Sequence, residues 1–194
     1  MDGRFFLGGG IGSGKSAAAA HFVSFGAVVV SGDEAGRRVL APGTSETAAV
    51  TARWPEAVDA SGGIDRSALG RIVFADAAQL RELEGITGPG IRRVIVAAVD
   101  AHPGDIVLVE VPVLRDLIGR GWPWIVVDAP DATRIERTIA RGGGMSAGDV
   151  GRVMSRQVSR GEWLAAADWV IDNSGDQVGL GVQCRRIWDE ITAV

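Results

Sequence analysis

Apolar residues in this chain come in short unbroken runs. Phe5-Phe6-Leu7, Ala27 to Val30, Ile106 to Val111, Trp124 to Asp128 and Trp169 to Ile171 are each mostly apolar. None alternates apolar with polar, as a strand with one wet face does. Such runs predict five strands buried on both sides, which is the condition of a parallel sheet covered by helices. Lys15 to Phe25, with Ala17 to Ala20, Phe22 and Val23, suits a helix, and Gly26 closes it. Helical stretches separate the other runs. The expected class is α/β, a doubly wound parallel sheet of about five strands.

Two stretches depart from that rhythm. Between about Asp33 and His102 the pattern predicts helices only: Asp33 to Leu40, Ser45 to Arg53, Arg66 to Phe74, Ala77 to Ile86 and Ile91 to Ala101. Asp65 and Asp76 stand where two of them need caps, while Pro42-Gly43 and Gly88-Pro89-Gly90 read as breaks. After Asp131, Ala132 to Arg141 reads as a basic helix, followed by Gly142-Gly143-Gly144 and by Ser146-Ala147-Gly148-Asp149, a capping box. Helices on a triple-glycine joint suit a mobile lid; the alternative is a surface hairpin. The expected division is a core of 1–32, 105–131 and 167–194, a helical insertion of 33–104, and a lid of 132–166.

At 194 residues and 46% hydrophobic content, the chain has room for one sizeable core with insertions. A net charge of −4 gives no general case for nucleic acid or an anionic membrane as partner. One cysteine, Cys184, excludes an intramolecular disulfide and any zinc site built from cysteines. No run approaches a membrane span and no secretory pattern opens the sequence, so a cytoplasmic location is expected. Lys15 is the only lysine against 19 arginines. Where any positive charge suffices, this composition writes arginine, so a surviving lysine points to a place that needs a slim stem and a compact ammonium.

That lysine lies in Gly9-Gly10-Ile11-Gly12-Ser13-Gly14-Lys15-Ser16, which fits G-x-x-x-x-G-K-[ST]. From this composition the motif arises by chance in roughly 2 chains per 1,000, and a strand before with a helix after gives it the right context. Glycines let the backbone N–H groups of Gly10, Ile11, Gly12, Ser13 and Gly14 converge on phosphate oxygens, with the helix N-terminus behind them. Lys15 can reach the β- and γ-phosphates and Ser16 can ligate magnesium. The only lysine being in the loop, the N-K-x-D signature of guanine readers cannot occur. D-x-x-G matches at Asp59, Asp116 and Asp172 carry little weight among 28 glycines. ATP is the expected nucleotide.

Asp33 follows the second strand at its carboxyl end, where ligands of open α/β sheets gather. It can accept a hydroxyl proton or orient a metal-bound water; the alternative is an N-cap for the helix that follows. Glu110, near the end of the third strand, is a candidate second-shell acid for magnesium. Arg137, Arg141, Arg152, Arg156 and Arg160 fall in the suspected lid, where one or two can stabilise charge on a transferring phosphoryl group. His21 and His102 read as structural, and the six tryptophans as packing.

These residues resemble the dephospho-CoA kinase family over nearly the whole chain. Gly9 to Ser16 matches its G-G-I-G-S-G-K-S, and Gly26 to Val30 with Asp33 and Arg37 resembles its G-x-x-V-I-D-A-D-x-x-A-R. Gly63-Ile64-Asp65-Arg66 with Leu69, Val73 and Phe74, then Pro112-Val113-Leu114, then Ala167 to Gly175 follow the family in order. Ser31, Ala17 and Gly88 stand where the family usually has aspartate, threonine and histidine, and Asp116 stands near a usual glutamate. The resemblance implies a P-loop NTPase fold with a helical substrate-binding insertion and a helical lid. It implies a transferase that phosphorylates the ribose 3′-hydroxyl of dephospho-CoA with ATP and magnesium, in the last step of coenzyme A biosynthesis. By position, Asp33 would be base or orienting residue, and Arg37 and Pro112 would hold the acceptor. Arg141 would meet phosphates from the lid, and the loop Asn173 to Gly175 would lie near the adenine. Dephospho-CoA is then the expected small-molecule partner, with no nucleic acid or membrane, for a monomer or weak homo-oligomer. Two alternatives are a related kinase with another nucleoside-like acceptor and an ATP-binding regulatory homologue impaired in catalysis.

Overall fold

The computed structural model describes residues 3–142 and 144–193. Gly143, the middle of the expected glycine joint, lies outside them. In chain order the elements are β1 (Arg4–Gly8), α1 (Lys15–Phe25), β2 (Val28–Ser31), α2 (Gly32–Val39), α3 (Ser45–Arg53), a 3-10 turn (Pro55–Ala57), α4 (Arg66–Val73) and α5 (Ala77–Asp100). Then follow β3 (Val107–Glu110), β4 (Trp124–Asp128), α6 (Asp131–Ala140), α7 (Ala147–Met154), α8 (Arg160–Ala166), β5 (Trp169–Asp172) and α9 (Gln177–Thr192). Contacts divide the chain into two compact units, Met1–Ser31 with Ala101–Val194, and Gly32–Asp100.

The first unit is a sheet of five parallel strands in the order β2-β3-β1-β4-β5. The absence of alternation in the strands is explained by their two covered faces. On one face Phe5, Leu7, Leu108, Ile125, Val127 and Ile171 pack with Ala18, Ala19 and Phe22 of α1 and Leu180, Cys184, Ile187 and Ile191 of α9. The intervening residues Phe6, Val107, Val109 and Val126 are buried as well. Phe6 stacks on Trp124 with centroids 4.6 Å apart. Each such side chain contributes roughly 1.5–3 kcal/mol on leaving water. β1 is the central strand, so whatever follows Gly8 emerges at the middle of the carboxyl edge. The chain leaves β1 for one side of the sheet and β4 lies on the other, the arrangement that opens a crevice for ligands.

The helical unit builds its own core around Trp54, which is fully buried among Val50, Ala57, Leu69 and Val73, with Leu80, Leu83 and Ile86 against it. The indole N–H of Trp54 donates to Gln79 Oε1 at 2.8 Å, so its burial leaves no donor unmet. Thr44 caps α3, Asp65 accepts from Ser67 N and Ala68 N at the start of α4, and Asp76 accepts from Ala78 N at the start of α5.

One expectation fails here. The break at Gly88-Pro89-Gly90 is absent, and α5 continues from Ala77 to Asp100 with Pro89 inside it. A proline in that position removes one backbone bond and presses its ring on the carbonyl four residues back. That residue is Gly85, which has no side chain to add to the crowding. The halves on either side are each packed, through the partly buried Leu80, Leu83 and Ile86 before the proline and the buried Ile95 and Val99 after it. Packing at both ends outweighs the local defect. Gly90 serves a different need: a Cβ there would run into the Glu46 carboxylate and stand 3.1 Å from Val39 Cγ1, so the glycine permits a close helix crossing.

Pro89 is exposed, so Pro89→Ala restores a donor without opening a void. It is expected to stabilise the helical unit by about 1–3 kcal/mol, read as a higher urea midpoint; an unchanged or lower midpoint would show the proline to be needed there. Burial also pushes the Cys184 thiol up to about 11. At pH 8 only roughly a thousandth of native molecules carry the thiolate, against about a quarter of an ordinary cysteine. Labelling by a disulfide reagent should therefore be slow until the chain is unfolded. Because the folded pKa is the higher one, this group's contribution to stability is complete below about pH 8.5 and falls as pH rises toward 11.

Candidate active site

The motif loop occupies the mid-edge position just described, between Gly8 of β1 and Lys15 of α1. Gly9, Gly12 and Gly14 have φ of 141°, 74° and 101°, values that residues with a Cβ rarely adopt. Ser13 N donates to Gly10 O at 3.2 Å and closes the turn. Helix α1 begins with no side-chain cap and no acid in its first turn. Its positive end is left for an anion from outside the chain, and no side chain of the loop's glycines stands in the way.

Two side chains complete the mouth. Lys15 Nζ donates to Gly9 O at 2.8 Å and Gly10 O at 3.4 Å, which folds the ammonium over the loop. Ser16 Oγ donates to Glu110 Oε1 at 3.2 Å. Glu110 reaches this point because β3 pairs with β1 in a register that sets Glu110 opposite Leu7. The hydroxyl and carboxylate form a pair of hard oxygen donors, suited to a magnesium ion that keeps most of its other ligands from water and phosphate. Among the described residues no group of three or more His, Cys, Asp or Glu side chains forms a metal cluster, and no helix is long and apolar enough to cross a membrane.

The loop is held from beneath and from one side. Asn173, at the end of β5, is 2% exposed, and its Nδ2 donates to Ser13 O at 2.8 Å. A Cβ on Gly14 would strike that amide. Arg137 of α6 gives one guanidinium nitrogen to Asn173 O at 2.8 Å and another to Gly175 O at 2.9 Å, fixing the loop that starts there. Arg137 is thus bound to backbone and is not poised to swing. Arg134 of α6 is 4% exposed and donates through Nε to Ile11 O at 2.9 Å, while Ile11 N donates to Gln157 Oε1 at 3.1 Å. Arg160 pairs bidentately with Asp128, at 2.8 and 2.6 Å, and that hydrogen bond is the first cause raising Arg160 above its usual value. A cavity of about 350 Å³ opens beside these contacts, lined by Asp131, Arg134, Met154, Ser155 and Arg160 among others.

The remaining candidates fall as follows. Arg141 is exposed at the C-cap of α6, and Arg152 is tied to Asp149, its neighbour in the capping box of α7. Pro112 is exposed two residues past Glu110. Asp116 spends its carboxylate on Ile118 N, Gly119 N and Gly121 N; burial pushes its pKa up, and those donors outweigh this and hold it down. In the helical unit Asp33 is exposed in the first turn of α2. That helix begins at Gly32, so Asp33 is inside it and is not its N-cap. Arg37, one turn on, donates to Glu34 Oε2 at 2.8 Å, which raises its pKa. Sequence reasoning missed Arg134, Gln157 and Asp128: no local pattern marks them, since their partners lie 32 to 146 residues away.

Comparison with known proteins adds an independent line. A family model described as dephospho-CoA kinase matches residues 5–178. A dephospho-CoA kinase of Frankia casuarinae is 38% identical over 191 residues, covering 96% of this chain and 82% of that protein. One from Xanthomonas campestris is 40% identical over 187 residues, covering 93% and 89%. A crystal structure of a Thermus thermophilus protein superposes with a TM-score of 0.83 at 30% identity, covering 96% of each chain.

Asn173→Ala leaves the Ser13 carbonyl without its donor and opens a void under Gly14. The expected loss is about 1–3 kcal/mol in chemical denaturation, together with weaker binding of ATP by calorimetry. Unchanged ATP affinity would show that this amide supports the fold and not the loop.

Proposed function

Because the chain belongs to the dephospho-CoA kinase family, we propose that it transfers the γ-phosphoryl group of ATP to the ribose 3′-hydroxyl of dephospho-CoA, yielding CoA and ADP. The observation that carries the phosphoryl-transfer part is the loop: a side-chain-free turn leading into an uncapped helix, with Lys15 above it and Ser16 bonded to Glu110 beside it. The acceptor is supplied by family membership.

In this reading the backbone N–H groups from Gly10 to Ser16, apart from that of Ile11, which donates to Gln157 Oε1, cradle the triphosphate, and Lys15 leaves its loop carbonyls for the β- and γ-phosphate oxygens. Its ammonium and the N-terminus of α1 then oppose the charge that grows as the phosphoryl group moves. Ser16 and Glu110 would hold magnesium, which would supply charge neutralisation to the triphosphate. Asp33 accepts or orients the proton of the attacking hydroxyl. Arg37 and Pro112 contact the acceptor, Arg141 approaches the phosphates from the lid of 132–166, and the Asn173–Gly175 loop flanks the adenine. The helical unit receives the acceptor.

The test is purified protein with ATP and magnesium, with and without dephospho-CoA, following ADP and CoA by chromatography. Equal amounts of both, formed only with the acceptor, are expected. Lys15→Ala should lower kcat/KM by roughly 10²–10³, and Asp33→Asn should lower kcat by about 10²–10⁴ with KM for ATP little changed. ATP binding without CoA formation would overturn the acceptor, and an Asp33→Asn enzyme with normal kcat would remove its role.

A further inference from the structure

The loop residue Ile11 is gripped on both sides by side chains from distant parts of the first unit. Its N–H goes to Gln157 Oε1 at 3.1 Å and its carbonyl receives Arg134 Nε at 2.9 Å. These two groups belong to successive peptide units: Gly10–Ile11, which is held also through Gly10 O by Ser13 N and Lys15 Nζ, and Ile11–Gly12, which Arg134 holds through Ile11 O. Both have a glycine as a neighbour, and glycine-flanked peptides rotate with little steric resistance. Rotation of Ile11–Gly12 would release Ile11 O from Arg134 and turn a carbonyl toward phosphate oxygens, reversing the local dipole at the anion site. Rotation of Gly10–Ile11 would break the Gly10 O contacts that close the turn and seat Lys15.

The packing around Arg134 shows how closely the loop lies on α6. A Cβ on Gly10 would collide with the Arg134 guanidinium, and one on Gly12 with the Arg134 carbonyl oxygen. The guanidinium is nearly buried, with Asp131 Oδ1 at 3.0 Å as its ionic partner. Gln157 lies between α7 and α8, and three residues on Arg160 holds Asp128 at the end of β4. The segment is thereby fastened to the sheet beside the loop it serves.

We propose that Arg134 and Gln157 are positioning residues of the phosphate loop, which hold the two peptide units around Ile11 in the orientation that nucleotide binding requires. This rests on the ATP-binding part of the reading above and not on the acceptor.

The proposal is tested with ATP and magnesium alone. Gln157→Met keeps size and removes the acceptor; Arg134→Met removes the donor. Either is expected to raise the calorimetric Kd for ATP about tenfold or more, and to raise KM for ATP while KM for dephospho-CoA stays within about twofold. In wild-type protein the Ile11 amide, followed by NMR, should exchange with solvent well below the rate of an unstructured peptide. Gln157→Met should abolish that protection, and Gln157→Glu, which retains an accepting oxygen, should recover it. Wild-type affinity in both Met variants, or an Ile11 amide that exchanges freely in the wild type, would overturn the proposal. The second result decides the matter even if the variants do not fold. A wild type that binds ATP and makes no CoA would overturn the acceptor assignment and leave this one standing.

Discussion

A loop able to surround phosphate with N–H groups must have almost no side chains of its own, and a loop without side chains has little to fix its shape. The rest of the first unit follows from that constraint. Gly9, Gly12 and Gly14 adopt positive φ at little steric expense, yet their freedom has to be removed by something else. Asn173 does so from below through Ser13 O, and Arg134 and Gln157 do so from the side through Ile11. The sheet makes this possible by carrying β1 at its centre, so that β3 delivers Glu110 on one flank and β4 and β5 deliver Asp128 and Asn173 on the other.

The two units rest on different physics. The sheet is specified by apolar strands that are covered on both faces, and its register sets which residues reach the carboxyl edge. The helical unit depends on one indole and the side chains around it, with each of three successive helices started by a hydroxyl or carboxylate cap. Its exposed polar residues, Asp33 and Arg37 among them, are arranged at helical spacing in a way that leaves them accessible.

Much of this was legible in the sequence because it is local. Strand runs, the helix after the motif, the caps at Asp65 and Asp76 and the capping box at Ser146 each need only neighbouring residues to be recognised. Pro89 misled because its local effect is real and the burial on either side of it is not a local property. Ser16 and Glu110 were each suspected, but their contact depends on strand pairing. Arg137 stands in the sequence as one of five arginines of a suspected lid and in the structure is bound to two carbonyls, since nothing in Ala132 to Arg141 reveals that β5 ends beside it. Arg134 and Gln157 left no sign at all: an arginine in a basic helix and a glutamine in a linker are ordinary until the partner appears.

The collision that a Cβ on Gly10 would have with the Arg134 guanidinium changes how the motif itself is understood. Position 10 is one of the motif's unspecified letters, so phosphate binding alone does not demand glycine there. In this chain the demand comes from α6, and the two sites form one heritable unit. A lineage that shortened residue 134 would free position 10 to drift, whereas one that kept the arginine would keep the glycine. Covariation between 10 and 134 would then record a contact of the scaffold, even though half of the pair lies inside a signature attributed to the nucleotide.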